Sequence, residues 1–130
     1  MENKKVAILM STYNGEKYLK EQIESLLAQT YGNIEIYIRD DGSKDNTIKI
    51  IKNYKEKYNN IVLKEGKNIG FINSFFELLN LCNDADYYAY CDQDDVWMND
   101  KIERAVKFLG KTDENKPALY FSNSDYYDSD

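Results

Sequence analysis

The chain has 130 residues, 42% hydrophobic, 31% charged and 14% aromatic, a composition that excludes a disordered tail, a collagen-like repeat and a low-complexity linker. At roughly 150 residues per domain, the length corresponds to one domain, large enough to build a core. With 17 basic and 23 acidic residues the net charge is -6, which argues against a protein whose main task is gripping nucleic acid.

The elements alternate along the chain. VAILM at 6–10 is a continuous apolar run, as in a strand buried on both faces. Leu19, Ile23, Leu26 and Leu27 fall at helical spacing within 15–30, with Asn14 as the expected N-cap. IEIYI at 34–38 is β-branched and aromatic, hence a strand. A second helix is predicted over 45–58, with Ile48, Ile51 and Tyr54 on one face, and a short strand over 61–63. A third helix over 71–81 sets Ile72, Phe75, Phe76 and Leu79 on one face. YYAYC at 87–91 is the fourth strand. Ile102, Ala105, Val106 and Leu109 mark a fourth helix closed by Gly110, and Pro117 introduces a last strand over 118–121.

This order predicts an α/β fold, a mostly parallel sheet flanked by helices on both faces. Ligands of such sheets sit outside the carboxyl ends of the strands. Chemically useful residues do follow each strand: Ser11-Thr12-Tyr13-Asn14, Asp40-Asp41-Gly42-Ser43, Lys67-Asn68 with Gly70, and Asp92-Gln93-Asp94-Asp95.

The absent motifs narrow the chemistry. No G-x-G-x-x-G follows the first strand and no P-loop occurs, so the usual backbone cradles for phosphate are missing. No histidine is present, which removes a His base, a His-ligated zinc and a Ser-His-Asp triad. Cys82 and Cys91 are too few for a disulfide framework and read as buried thiols of a reducing compartment. No apolar run approaches the roughly 18 residues of a membrane helix, and MENKKVAILM reads as no secretory leader.

Carboxylates take the place of a phosphate cradle. No Lys or Arg occurs from Asn68 to Asp100, and Asp92, Asp94 and Asp95 crowd into one turn. Like charges so close raise one another's pKa, and a hard divalent cation, Mg²⁺ or Mn²⁺, relieves the repulsion. An EF-hand does not fit, because Trp97 stands where that loop needs glycine. Tyr13 could be a packed aromatic or a platform stacked on a base. Asp40 and Asp41 could cap a turn or accept a hydrogen bond from a bound ring.

VAILMSTYNGEKYLKEQIESLLAQTYGNIEIYIRDDGSKDNT, GKNIGFINSFFELL and YAYCDQDDVWMNDKI together resemble the family 2 glycosyltransferases of the Rossmann-like GT-A fold. DQDDVW resembles the D-x-D-D region of rhamnosyltransferase-like bacterial members. The resemblance implies inverting, metal-assisted sugar transfer from a nucleoside diphosphate donor, a deoxythymidine diphosphate-rhamnose or a uridine diphosphate sugar. The acceptor would be a bacterial polysaccharide or a lipid-linked saccharide, and the location cytoplasmic, at the inner membrane face where a further part of the enzyme provides the contact. Carried over by position, Ser11, Thr12, Tyr13, Asp40, Asp41, Asn68 and Asp92 would hold the nucleotide. Asp94, with Asp92, would bind Mn²⁺ or Mg²⁺, and Asp92, Asp94 and Asp95 would form the catalytic acidic group. Family members are commonly at least twice this length, so residues 1–130 read as one donor-binding domain of a longer enzyme. Asp125, Asp128 and Asp130 match no known context for the base that deprotonates the acceptor. The alternative is a non-catalytic nucleotide-sugar-binding module of the same fold.

Overall fold

The structure, a computed structural model, describes residues 4–110 and the backbone of residues 118–121. Pro117, Asp125, Asp128 and Asp130 lie outside the described residues. The elements run β1 (Val6–Thr12), α1 (Leu19–Leu27), β2 (Ile34–Asp40), α2 (Thr47–Lys57), β3 (Ile61–Glu65), α3 (Phe71–Leu81), β4 (Tyr87–Cys91), α4 (Lys101–Leu109) and β5 (Ala118–Phe121). The sheet order is β3-β2-β1-β4-β5, and every pairing is parallel.

β1 lies between β2 and β4, and all of its residues are buried. Its side chains alternate between two cores. Val6, Ile8 and Met10 join Ile23, Leu26, Ile51, Ile102 and Val106 of α1, α2 and α4. Ala7 and Leu9 join Leu78 of α3 and Cys82 just after it. With apolar surface removed from water on both faces, an unbroken VAILM run is the stable choice for this position. The chain winds outward through β2 to the edge strand β3, then crosses back under α3 to β4 on the far side of β1. That reversal opens a crevice at the carboxyl ends of β1 and β4.

Two helix starts differ from the sequence expectation. α1 begins at Leu19, and Asn14 is not its cap. Asn14 adopts a left-handed φ of 48°. Its amide donates to Ser43 Oγ at 2.8 Å, and its Oδ1 accepts from the Lys44 amide at 2.8 Å. It thus joins the loops after β1 and β2, while the Tyr18 and Leu19 amides are satisfied by the Gly15 carbonyl. α2 begins at Thr47, whose amide donates to Asp45 Oδ1 at 3.0 Å. β1, β2 and β3 each run two residues further than the apolar pattern suggests, carrying Ser11, Thr12, Arg39, Asp40, Lys64 and Glu65.

α3 is rotated from the expected face. Its buried residues are Ser74 and Leu78, with Phe75 and Leu79 half-buried against the α3 core. Ile72 and Phe76 are 65% and 56% exposed. The reason is polar: Ser74 shares a 2.7 Å hydrogen bond with Ser11 on β1 and accepts from Arg39 at 3.0 Å. A buried hydroxyl must be paired, and pairing it turns the more apolar side of the helix outward. Leu78→Ala should therefore cost about 2–5 kcal/mol through the cavity it leaves. Ile72→Ser, expected on sequence grounds to be as harmful, should stay within about 1 kcal/mol. Urea denaturation of both variants checks this, and equal losses would contradict the orientation of α3.

Candidate functional site

Two buried carboxylates end β2, and different donors compensate each. Asp40 is fully buried. Its Oδ1 accepts from Thr12 Oγ1 at 2.8 Å and from Ser43 Oγ at 2.6 Å, and its Oδ2 accepts the Ser43 amide at 2.7 Å. These bonds fasten the end of β1 to the turn after β2. Gly42 in that turn has φ 84°, a conformation that favours glycine.

Asp41 is 4% exposed. Arg39 Nη1 donates to its Oδ1 at 2.8 Å, and the Ile69 amide donates to the same oxygen at 2.9 Å. The Gly70 amide donates to Oδ2 at 3.1 Å. A carboxylate offers about four acceptor sites, so Oδ2 keeps room for one more donor. Burial alone would raise the carboxyl pKa, but the Ile69 amide, the Arg39 guanidinium and the Gly70 amide outweigh it and hold the group below the usual carboxylate range.

The β4 turn is held by α1. Gln22 Nε2 donates to the Asp92 carbonyl and to Cys91 Sγ, and Ser25 Oγ accepts the Trp97 amide at 3.1 Å. Gln29 Nε2 donates to the Met98 carbonyl at 2.8 Å, and its Oε1 accepts the Ile102 amide at 3.0 Å. Within the turn the Asp95 amide donates to the Asp92 carbonyl at 3.1 Å, with Asp94 at φ 77°. Such a turn normally places glycine or asparagine there. Burial pushes the Asp92 carboxyl up, the Asp95 charge adds to this, and the Lys101 ammonium partly offsets it. Asp95 Oδ2 accepts from Trp97 Nε1 at 3.4 Å. Both cysteines are free and buried, as expected, and burial pushes the Cys91 thiol up and leaves it inert.

A pocket of about 370 Å³ opens where these ends converge. Of the residues singled out in the sequence, Ser11, Thr12, Tyr13, Asp41 and Asn68 line it. Asp40 does not: its oxygens are consumed by Thr12 and Ser43, so it braces the pocket from beneath. Asp92, Asp94 and Asp95 lie in the turn that carries Gln93 to the pocket wall, and Asp94 is exposed. Among the described residues no group of three or more His, Cys, Asp or Glu side chains converges as a ready metal cage. The donors present at the turn are carboxylate oxygens, and Asp92 carries a repulsion from Asp95 that Lys101 offsets only in part. That set fits a hard cation completed by phosphate or water oxygens rather than by protein alone.

Gly70 and Gln93, which the sequence places after their strands without a ligand role, and Phe71, which it does not mark, also line the pocket. Gln93 Oε1 accepts the Tyr13 amide at 2.9 Å and so ties the turn to β1. Its place between acids after a core strand was the available signal. Phe71, 57% exposed, starts α3 and meets Tyr90 edge-on at 5.4 Å. Only the topology brings it to the pocket. A groove of about 500 Å³ between α1 and α2 lies away from the strand ends, and Tyr54 Oη there already donates to Glu24 at 2.7 Å.

Comparison with known proteins agrees with this architecture. An uncharacterised glycosyltransferase of Rickettsia conorii is 36% identical over 117 residues, covering 88% of this chain and 19% of its own length. The dTDP-rhamnosyl transferase RfbG of Shigella flexneri is 34% identical over 125 residues, covering 92% of this chain and 40% of its own. The chain thus spans about a fifth to two fifths of these curated relatives. TarS 1-349 of S. aureus, solved in complex with UDP, superposes with a TM-score of 0.75 at 26% identity over 82% of this chain and 32% of its own. The mannosyltransferase PcManGT of Pyrobaculum calidifontis, solved with GDP-Man and Mn²⁺, gives a TM-score of 0.74 over 83% of this chain and 33% of its own, and at 21% identity the likeness is one of fold. The profile described as "Glycosyl transferase family 2" matches residues 7–128. With the doubly flanked parallel sheet and a pocket at its switch point, that match places this chain in glycosyl transferase family 2.

Proposed function

We propose that this chain binds the nucleotide of a nucleoside diphosphate sugar and serves the donor side of an inverting glycosyl transfer. The observation that carries the reading is Asp41. It is a buried, ionised carboxylate with one oxygen still able to accept a hydrogen bond, set in the pocket wall near Tyr13, which is 42% exposed. A ligand there must offer an N–H or O–H and a flat face. Uracil and thymine offer both. TarS, similar in fold and 26% identical, was solved with UDP and with UDP-GlcNAc, which supports a nucleotide donor.

In this reading Tyr13 stacks on the base, Asp41 accepts the ring N–H, and Ser11, Thr12 and Asn68 shape the nucleoside end. Gln93 keeps Tyr13 and the acidic turn in register. Asp92 meets the ribose and sugar, and Asp94, with Asp92, would hold Mn²⁺ or Mg²⁺ beside the diphosphate; Asp95 completes the acidic group. When bound, the cation supplies positive charge to the departing nucleoside diphosphate. The acidic turn without a cation would repel the diphosphate, so donor binding should depend on the metal. The sugar is proposed to be rhamnose or a sugar carried on uridine diphosphate, and the acceptor a saccharide or lipid-linked saccharide of a bacterial surface polymer. The proposed location is the cytoplasm, at the inner membrane face where the acceptor is lipid-linked; among the described residues no helix is long and apolar enough to cross a membrane.

Calorimetric titration of uridine and thymidine diphosphates, with and without Mn²⁺, tests the reading. Metal-dependent binding of either is expected, and a folded chain that binds neither would sink it. Asp41→Asn should weaken binding by at least about tenfold, or about 1.4 kcal/mol. Tyr13→Ala should cost about 1–3 kcal/mol through lost stacking.

Asp94 separates function from fold. It occupies a glycine-type φ at a cost of roughly 1–2 kcal/mol. Asp94→Gly should leave stability within about 1 kcal/mol of the parent, the relief of strain being partly offset by the entropy of glycine in the unfolded chain. The Mn²⁺-dependent part of nucleotide affinity should disappear. Equal nucleotide affinity with and without Mn²⁺ in the parent would count against a metal role for this turn.

A further inference from the structure

We infer that Arg39 is the positioning residue of the pocket, fixing Asp41 for its ligand by clamping the end of β2 to α3 and to the segment 66–70. The inference rests on the reading of Asp41 as the acceptor of a ligand proton.

Arg39 is 4% exposed, although it carries a full charge at the end of a strand. Its guanidinium reaches three partners from three elements. Nη1 donates to Asp41 Oδ1 at 2.8 Å and to Ser74 Oγ of α3 at 3.0 Å, and Nη2 donates to the Lys67 carbonyl at 3.0 Å. Ser74 passes the restraint to β1 through its 2.7 Å bond with Ser11, itself a pocket residue. The segment that supplies the Ile69 and Gly70 amides to Asp41 is therefore held by the same side chain that neutralises Asp41. Gly66 leaves room for it: a Cβ there would stand 2.2 Å from Arg39 Nη2. Arg39 lines no part of the pocket, so it acts through Asp41 and not on the ligand.

The geometry needs a fork. A lysine ammonium is one point charge and cannot serve Asp41, Ser74 and the Lys67 carbonyl in their separate directions. Without the guanidinium, Asp41 would keep its burial and lose the Arg39 counter-ion, and its affinity for protons would rise. Among the described residues, no other charged side chain is bonded to Asp41. α3 presents the neutral Ser74, segment 66–70 presents amides, β1 presents Ser11 and Thr12, and Tyr13 is the remaining titratable group lining the pocket.

Two measurements test this on the chain as it stands. The first needs no ligand. Carboxyl carbon NMR should show Asp41 titrating at least roughly one pH unit higher in Arg39→Lys than in the parent, with the Ile69 and Gly70 amide resonances displaced. An unchanged titration in a folded Arg39→Lys would overturn the inference, whatever the nucleotide does. The second is a double-substitution cycle read by nucleotide affinity with Mn²⁺ present. Arg39→Lys should weaken uridine or thymidine diphosphate binding about tenfold or more in the parent and by less than about threefold in Asp41→Asn. The ratio of parent to Arg39→Lys affinity should also widen as pH falls toward the carboxylate range, because Asp41 takes up its proton at higher pH in the variant. Equal losses in both backgrounds would make Arg39 a general structural residue and overturn the inference. If the parent binds neither nucleotide while the NMR shift appears, the reading of the pocket fails and the role of Arg39 in holding Asp41 stands.

Discussion

Two adjacent carboxylates buried at the end of one strand set the constraint on which the rest of this site depends. A carboxylate taken out of water needs paired donors, and missing ones are costly. Asp40 takes its donors from Thr12 and Ser43, so the loops after β1 and β2 must lie side by side. Asp41 takes its donors from Arg39, Ile69 and Gly70, so the segment after β3 must fold back over β2. Those two demands close two walls of the pocket before any ligand is considered. The third wall comes from the β4 turn, tied to β1 by the bond between Gln93 and the Tyr13 amide.

The alternation of strands and helices was legible because the apolar runs are short, β-branched and separated by helical periods. The helix boundaries were less so. Asn14 has the chemistry of an N-cap, yet its amide and side chain are both drawn to the β2 turn, a partner nearly thirty residues away. The face of α3 was misjudged for a related reason. Periodicity counts Ile72, Phe75, Phe76 and Leu79 as one stripe, but a single buried hydroxyl, Ser74, outweighs the stripe because it must meet Ser11 and Arg39. Local pattern reports apolar surface well and long-range polar pairing poorly.

The site residues divide along the same line. Ser11, Thr12, Tyr13, Asp41 and Asn68 could be placed at one edge by knowing only that they end or follow strands, and all five line the pocket. Asp40 could not be told from Asp41 in the sequence, since both are acids in one turn. The structure separates them by what surrounds each: neutral hydroxyls and an amide around Asp40, a guanidinium and a pocket beside Asp41. Phe71 carries no sequence signal at all, because only the return crossing under α3 brings its start to β1.

Polar side chains of α1 and of Gln29 just beyond it show how the acidic turn is kept in place. Gln22, Ser25 and Gln29 follow a helical spacing that would ordinarily mark a solvated stripe. Instead they satisfy the backbone of the segment from Asp92 to Ile102. Backbone groups of this irregular turn pair with one another only in part, as the Asp95 amide does with the Asp92 carbonyl, so side-chain amides and a hydroxyl from α1 and Gln29 take up others. Among the described residues, no hydrogen bond reaches the carboxylates of Asp92 and Asp94, and Asp92 feels only the charges of Asp95 and Lys101. The turn is thus held rigidly by its main chain while its charged side chains remain available, and the positive φ of Asp94 survives because the surrounding bonds over-determine the backbone. Rigid main chain with uncommitted charge is the arrangement expected of a turn whose counter-ion arrives from outside the protein.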